Sequence, residues 1–224
     1  MPPSILEPVP TGSAYAMNAP RLYYLDDIPT PYRLGVQRRV AVEWGGPMRI
    51  AYCAASEPGR EWTFDFSGLD VEWLPGKQWR PARQVNPMSL KWNAGVSDSL
   101  TAFRPDIVVL SGYVHPTVYM AARWCRMNHV PYGIASETTA RSTTMSGPRW
   151  LLKKALAGWL VEGMAFGLPT GREAAEYLRA LGASDKPMHF FPNTPNTTPI
   201  VNVADSIRTS DGGAALRALS LIHI

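Results

Sequence analysis

The chain has 224 residues, 46% hydrophobic and 18% charged, with 22 Lys and Arg against 18 Asp and Glu for a formal charge of +4. That length and apolar share fit one globular domain with extensions and exclude a disordered chain. Cys53, Cys125 and four scattered histidines supply neither a disulfide framework nor a paired metal-ligand spacing, so no metal and no cofactor is expected.

In chain order, residues 1–20 hold five prolines among small polar residues and read as a mobile tail. Leu22-Tyr23-Tyr24-Leu25 reads as a first strand, ended by the Pro29-Thr30-Pro31 turn. Residues 32–44 suit a short helix, with Leu34, Val36, Val40 and Val42 set between Arg33, Arg38, Arg39 and Glu43. Strands over 48–54 and 69–74 are bounded by Gly45-Gly46-Pro47, Pro58-Gly59 and Pro75-Gly76, and residues 77–91 read as a variable loop. A helix over 96–103 leads through Pro105 into Asp106-Ile107-Val108-Val109-Leu110. This unalternating run is what a strand buried on both faces needs. Helix 116–128, strand 131–135, helix 148–160 with Pro148 in its first turn and strand 165–168 follow. Helix 171–181, closed by Gly182, then precedes a last strand over 188–191. Strand and helix alternate throughout. That order predicts an α/β fold: a doubly wound, Rossmann-like, mostly parallel sheet of six or seven strands in a single domain over residues 21–196. Residues 197–224 read as a linker and end segment.

A small basic excess favours anionic partners without choosing among them. No nucleic-acid motif or dense basic tract accompanies it, so no nucleic acid is expected as a partner. No apolar run approaches the roughly 20 residues needed to span a bilayer, and residues 1–20 lack the basic and apolar regions of a signal peptide. Cytoplasmic residence is the expectation.

Ligands of open α/β sheets bind beyond the carboxyl ends of the strands, which promotes the loops 30–33, 55–60, 111–116, 136–141 and 169–172. Ser111-Gly112-Tyr113-Val114-His115-Pro116 ends the strongest strand and opens a helix. Gly112 can let a ligand approach the backbone and His115 can exchange a proton near neutral pH, or both can simply shape the turn. Glu137 can bind sugar hydroxyls and Arg141 a phosphate, or the segment can be a helix cap followed by solvated charges. The backbone at Tyr32 and Arg33 can face a phosphate, or Arg33 can be a surface charge. No GxGxxG, GxxxxGK[ST] or GxSxG pattern is present, which argues against dinucleotide, P-loop and α/β-hydrolase sites. Arg149, Lys153 and Lys154 form the basic edge of an amphipathic helix that can touch acidic lipid or pack on the core.

Several segments together resemble one family. Asp27-Ile28-Pro29-Thr30-Pro31-Tyr32-Arg33, Glu57-Pro58-Gly59-Arg60-Glu61-Trp62 and Leu74-Pro75-Gly76 resemble the start of bacterial GT-B glycosyltransferases of family 4. Pro105-Asp106-Ile107-Val108-Val109, Gly112-Tyr113, His115-Pro116, Ser136-Glu137-Thr138 and Phe191-Pro192-Asn193-Thr194-Pro195-Asn196 continue the likeness. The resemblance implies the acceptor-side, N-terminal Rossmann-like domain of such an enzyme, truncated before the donor-binding domain. It further implies metal-free transfer of a hexose from a nucleoside-diphosphate sugar donor to a glycan or lipid-linked acceptor hydroxyl, with retention, in polysaccharide biosynthesis. Lipid-linked acceptors would bring peripheral contact with the inner face of the membrane. On the same resemblance, His115 and Glu137 are the expected catalytic residues and Tyr32, Arg33, Gly112, Tyr113 and Arg141 the expected substrate-binding ones. The fragment alone is expected to be inactive. Two other functions remain open at this stage: a non-catalytic acceptor- or partner-binding half of a split enzyme, and a GT-B-like sugar-nucleotide epimerase.

Overall fold

The computed structural model describes residues 19–57, 60, 62–79, 89–142, 148–194 and 197–209. In chain order these form β1 (Leu22–Asp26), α1 (Pro31–Glu43), β2 (Met48–Tyr52), β3 (Asp70–Trp73), β4 (Lys77–Trp79), β5 (Leu90–Trp92) and α2 (Val96–Phe103). They continue as β6 (Ile107–Ser111), α3 (Pro116–Met127), β7 (Tyr132–Ser136), α4 (Pro148–Glu162), β8 (Phe166–Pro169), α5 (Arg172–Ala180) and α6 (Thr198–Thr209).

Six strands make one sheet in the order β3-β2-β1-β6-β7-β8, with every neighbouring pair parallel. The winding starts at β1, runs outward to β3, then returns to β6 on the other side of β1 and runs outward to β8. β1 and β6 therefore flank the point where the winding reverses. Both are buried on two faces, which explains their continuous apolar sequences. Alternate side chains feed two cores. Tyr23, Leu25, Val108, Leu110 and Ile134 pack with Leu100 of α2, Ala121 of α3, Leu160 of α4 and Leu178 of α5. Leu22, Tyr24, Ile50, Tyr52 and Val109 pack on the other face with Val40, Ala41 and Trp44 of α1 or beside it. Each such side chain contributes roughly 1.5–3 kcal/mol on burial.

Local chemistry sets the element ends. Pro31 and Pro116 open α1 and α3, where a missing N–H costs nothing. Past α5, Gly182 at φ +127 donates to the Arg179 carbonyl (3.0 Å) and Ala183 to Leu178 (3.2 Å), the paired bonds of a Schellman cap. In β7, Gly133 lies opposite Phe166, whose ring fills the space a Cβ would need.

The structure corrects the sequence reading in two places. Residues 77–91 are not merely a loop: β4 and β5 form an antiparallel ribbon with Lys77 opposite Trp92 and Trp79 opposite Leu90. Each strand has only three residues, too short for a periodic signal. The expected last strand over 188–191 is a single bridge, Gly167 to Met188, with Gly167, His189 and Phe191 donating to Pro187, Gly167 and Pro169. Pro187 and Pro192 bracket the segment and lack the N–H groups that would extend the pairing beyond its ends. Within residues 197–224, read as linker and end segment, α6 spans Thr198–Thr209, with Val201 and Val203 at least half exposed. The proline-rich tail lies outside the described residues except Ala19 and Pro20, whose carbonyl accepts from the Trp44 indole (2.7 Å). On α4, Lys154 and Leu156 are exposed, while the Arg149 and Lys153 side chains lie outside the described residues.

Candidate functional site

Parallel register brings the carboxyl ends of the central strands to one edge: Asp26 opposite Tyr52, Ser111 opposite Ala135, Ser136 opposite Pro169. A cleft of about 390 Å³ opens there, at the reversal between β1 and β6. This is where open α/β sheets take their ligands. Of the expected site residues, Tyr32, Arg33, Gly112, His115 and Glu137 line it. Gly112 adopts φ +74 and donates to the Ala135 carbonyl (2.7 Å), turning the chain sharply at the end of β6. Tyr113 then drops into the core at 3% exposure, and its burial pushes the phenol pKa up. Arg141 points to solvent and pairs with Glu173 at 3.6 Å, away from the cleft lining.

Arg33 is the hub of one wall. From the first turn of α1 its guanidinium reaches Asp26 Oδ1 (2.6 Å), Ser111 Oγ and Glu137 Oε1 (2.6 Å), linking β1, β6 and the loop after β7. Asp26 is fully buried and also accepts from Gln37 Nε2 (2.9 Å) and its neighbour's N–H (2.8 Å); Tyr52 O–H in turn donates to Gln37 (2.6 Å). Burial alone would lower the Arg33 pKa, but the charge of Asp26, with Glu137, raises it. Arg33 is therefore neither a surface charge nor a free phosphate ligand: both carboxylates already occupy it.

A second cluster, which motif reasoning missed, forms the opposite wall. Lys91, on the inward side of the β4–β5 ribbon, is completely buried, with Nζ 2.6 Å from Asp27 Oδ1 and 2.8 Å from Glu57 Oε1. His115 Nε2 lies 3.0 Å from the same Asp27 oxygen, while its Nδ1 accepts from the Lys91 backbone N–H (3.3 Å). With Nδ1 accepting, the ring proton sits on Nε2, facing Asp27. Both nitrogens of His115 are thus engaged within the protein. Burial pushes the Asp27 pKa up, yet the contacts with His115 and Lys91 outweigh it and hold the carboxyl below its ordinary value. The signals in the sequence were modest: an Asp26-Asp27 pair closing an apolar strand, and a lysine between Leu90 and Trp92.

The charges decide what this site can do. Four carboxylates (Asp26, Asp27, Glu57, Glu137) and two guanidiniums (Arg33, Arg60) line the cleft, with Lys91 behind them. Arg33 and Lys91 are each neutralised by two carboxylates, and Arg60 lies 3.9 Å from Glu57. Such a surface accepts hydrogen bonds from hydroxyl groups well and neutralises a diphosphate poorly. Thr30 adds a buried hydroxyl without a hydrogen-bond partner among the described residues, at the N-cap of α1.

Comparison with known proteins gives three results. No curated protein matches the chain. Solved structures that resemble it include a protein from Listeria monocytogenes named as a putative UDP-N-acetylglucosamine 2-epimerase (12% identity, TM-score 0.40, 72% of this chain and 41% of that one) and a UDP-N-acetylglucosamine 2-epimerase (9%, 0.44, 76% and 47%). The chain spans less than half the length of either, and at these values the likeness says nothing about activity. Residues 33–194 match the model of the glycosyl transferase 4-like domain, well over half the chain, and the protein belongs to that family.

Proposed function

We propose that the chain is the acceptor side of a glycosyltransferase that moves a hexose from a nucleoside-diphosphate sugar to a hydroxyl of a glycan or lipid-linked acceptor, with retention at the anomeric carbon. Family membership over residues 33–194 carries this reading. The chemistry of the cleft supports the acceptor assignment: its four carboxyl side chains suit a polyhydroxylated ligand. In the transfer, the bond from the anomeric carbon to the diphosphate breaks as the bond to the acceptor oxygen forms. The diphosphate leaves with the electron pair, and the hydroxyl proton passes to the departing diphosphate oxygen on the same face of the sugar. Leaving-group charge needs positive groups aimed at it. Arg33 and Lys91 are already neutralised, so those groups come from outside this cleft lining. The 224-residue chain alone is accordingly expected to transfer no sugar. Action in the cytoplasm, at the inner membrane face for a lipid-linked acceptor, belongs to the same proposal; among the described residues no helix is long and apolar enough to cross a membrane.

The test is to incubate the chain, joined to a GT-B donor-binding domain, with uridine and guanosine diphosphate hexoses and hydrophobic alkyl glycosides, reading nucleoside diphosphate release and product anomer by NMR. A product with the donor's anomeric configuration is expected. An inverted product removes the retaining mechanism, and an isomerised donor formed without acceptor replaces the transferase reading with an epimerase. Transfer by the 224-residue chain overturns the countercharge argument.

A further inference from the structure

The two carboxylates that reach the open part of the cleft differ in what is left to bind. Glu137 has both oxygens occupied, Oε1 by Arg33 Nη2 (2.6 Å) and Oε2 by Asn193 Nδ2 (3.1 Å). Asp27 meets Lys91 Nζ (2.6 Å) and His115 Nε2 (3.0 Å) through Oδ1, which is buried; its side chain is 24% exposed and lines the cleft, which leaves Oδ2 as the oxygen open to a ligand. We propose that Asp27 Oδ2 receives the hydroxyl groups of a saccharide bound in the cleft, and that Lys91 is the positioning residue that holds Asp27 for this task.

The inference rests on reading the cleft as a sugar site and adds which group does the holding. Lys91 contributes an ammonium, not apolar packing, and an apolar residue there would cost less to bury. What the ammonium does is occupy Oδ1 and keep Asp27 ionised, so that Oδ2 turns toward the ligand. A carboxyl held below its ordinary pKa is a weak base but a strong hydrogen-bond acceptor, which fits binding and orienting a hydroxyl rather than removing its proton. The placement also links the β4–β5 ribbon to the cleft: Lys91 faces inward, while Trp79 and Trp92 on the same ribbon are 64% and 60% exposed. Displacement of the ribbon would therefore carry the ammonium away from Asp27.

Carbon-13 NMR of side-chain carboxyls on the 224-residue chain tests this, with D-glucose as the probe saccharide. In the wild type, the Asp27 signal should shift saturably with glucose. The isosteric Asp27→Asn variant, followed through the Gly112 and Tyr32 amides, should bind glucose about ten- to a hundredfold more weakly, as loss of a charged hydrogen bond implies. The charge-balanced Lys91→Met/Glu57→Gln variant should raise the Asp27 titration midpoint and weaken glucose binding; an unchanged midpoint overturns the positioning role of Lys91. Amide shifts in the cleft with a silent Asp27 carboxyl, or unaltered binding by Asp27→Asn, overturn the assignment to Asp27 and leave the sugar site standing. Absence of glucose-dependent shifts at every cleft amide overturns both.

Discussion

Replacing Arg33 by methionine removes a side chain that ties β1, β6 and the loop after β7 together. Asp26 then stays fully buried with its charge unmatched, although Gln37 Nε2 (2.9 Å) and the Asp27 N–H (2.8 Å) still satisfy its oxygens. Breaking one side of a buried ion pair costs about 3–5 kcal/mol, and the surviving hydrogen bonds put the expected loss near the lower bound. Glu137 is half exposed, so its share is small. In a domain of this size about 3 kcal/mol lowers Tm by about 6–12 °C. Thermal unfolding followed by circular dichroism at neutral pH reads this directly. The double variant Arg33→Met/Asp26→Asn removes the stranded charge and should recover most of the loss. A fall in Tm under about 2 °C for Arg33→Met, or a double variant no more stable than the single, would refute the claim that Arg33 serves chiefly to neutralise Asp26.

Further expectations concern pH, packing and His115. Because the Asp27 pKa is lower folded than unfolded, its contribution to stability is complete above the unfolded value of about 3.9 and is lost as pH falls from there through the folded value. Urea unfolding across that acid range should show a slope that Asp27→Asn flattens; an unchanged slope counts against the linkage. Gly133→Ala drives a methyl into the Phe166 ring and should cost about 1–3 kcal/mol, whereas Gly171→Ala, in open space at an extended φ of −175°, should be near neutral in the same denaturation assay. Equal effects would mean that Phe166 yields freely. His115→Ala strips partners from the Lys91 N–H and from Asp27 and should destabilise by about 1–3 kcal/mol. A variant as stable as the wild type would show that neither contact matters to the folded state.

How much could be read in advance follows the range of the forces involved. The helix over 96–103 appears with the bounds expected, because its apolar periodicity is a local property. The run from Ile107 to Leu110 announced a strand buried on both faces, since only such a strand is apolar without alternation. Gly182 marked a helix end because its φ of +127° excludes most other residues. Strand order and the strand-end rule put four of the five promoted loops at the cleft, where Tyr32, Arg33, Gly112, His115 and Glu137 line it, while the 169–172 loop supplies none of its lining. The sequence by itself therefore determined the α/β class, the parallel sheet and the edge where the cleft lies.

The tertiary structure decided which charged groups face each other there. Arg33 acquires its meaning from Ser111 and Glu137, 78 and 104 positions away, and Lys91 from Glu57, 34 positions back. No local pattern distinguishes an arginine that will bind phosphate from one whose charge is consumed by carboxylates of other strands. Nor does a three-residue strand reveal that its lysine points inward. Backbone preference and apolar burial act over a few neighbouring residues and leave a periodic trace in the chain. The state of a charge depends on solvent exclusion and on partners within about 4 Å, and only the folded arrangement brings those partners together.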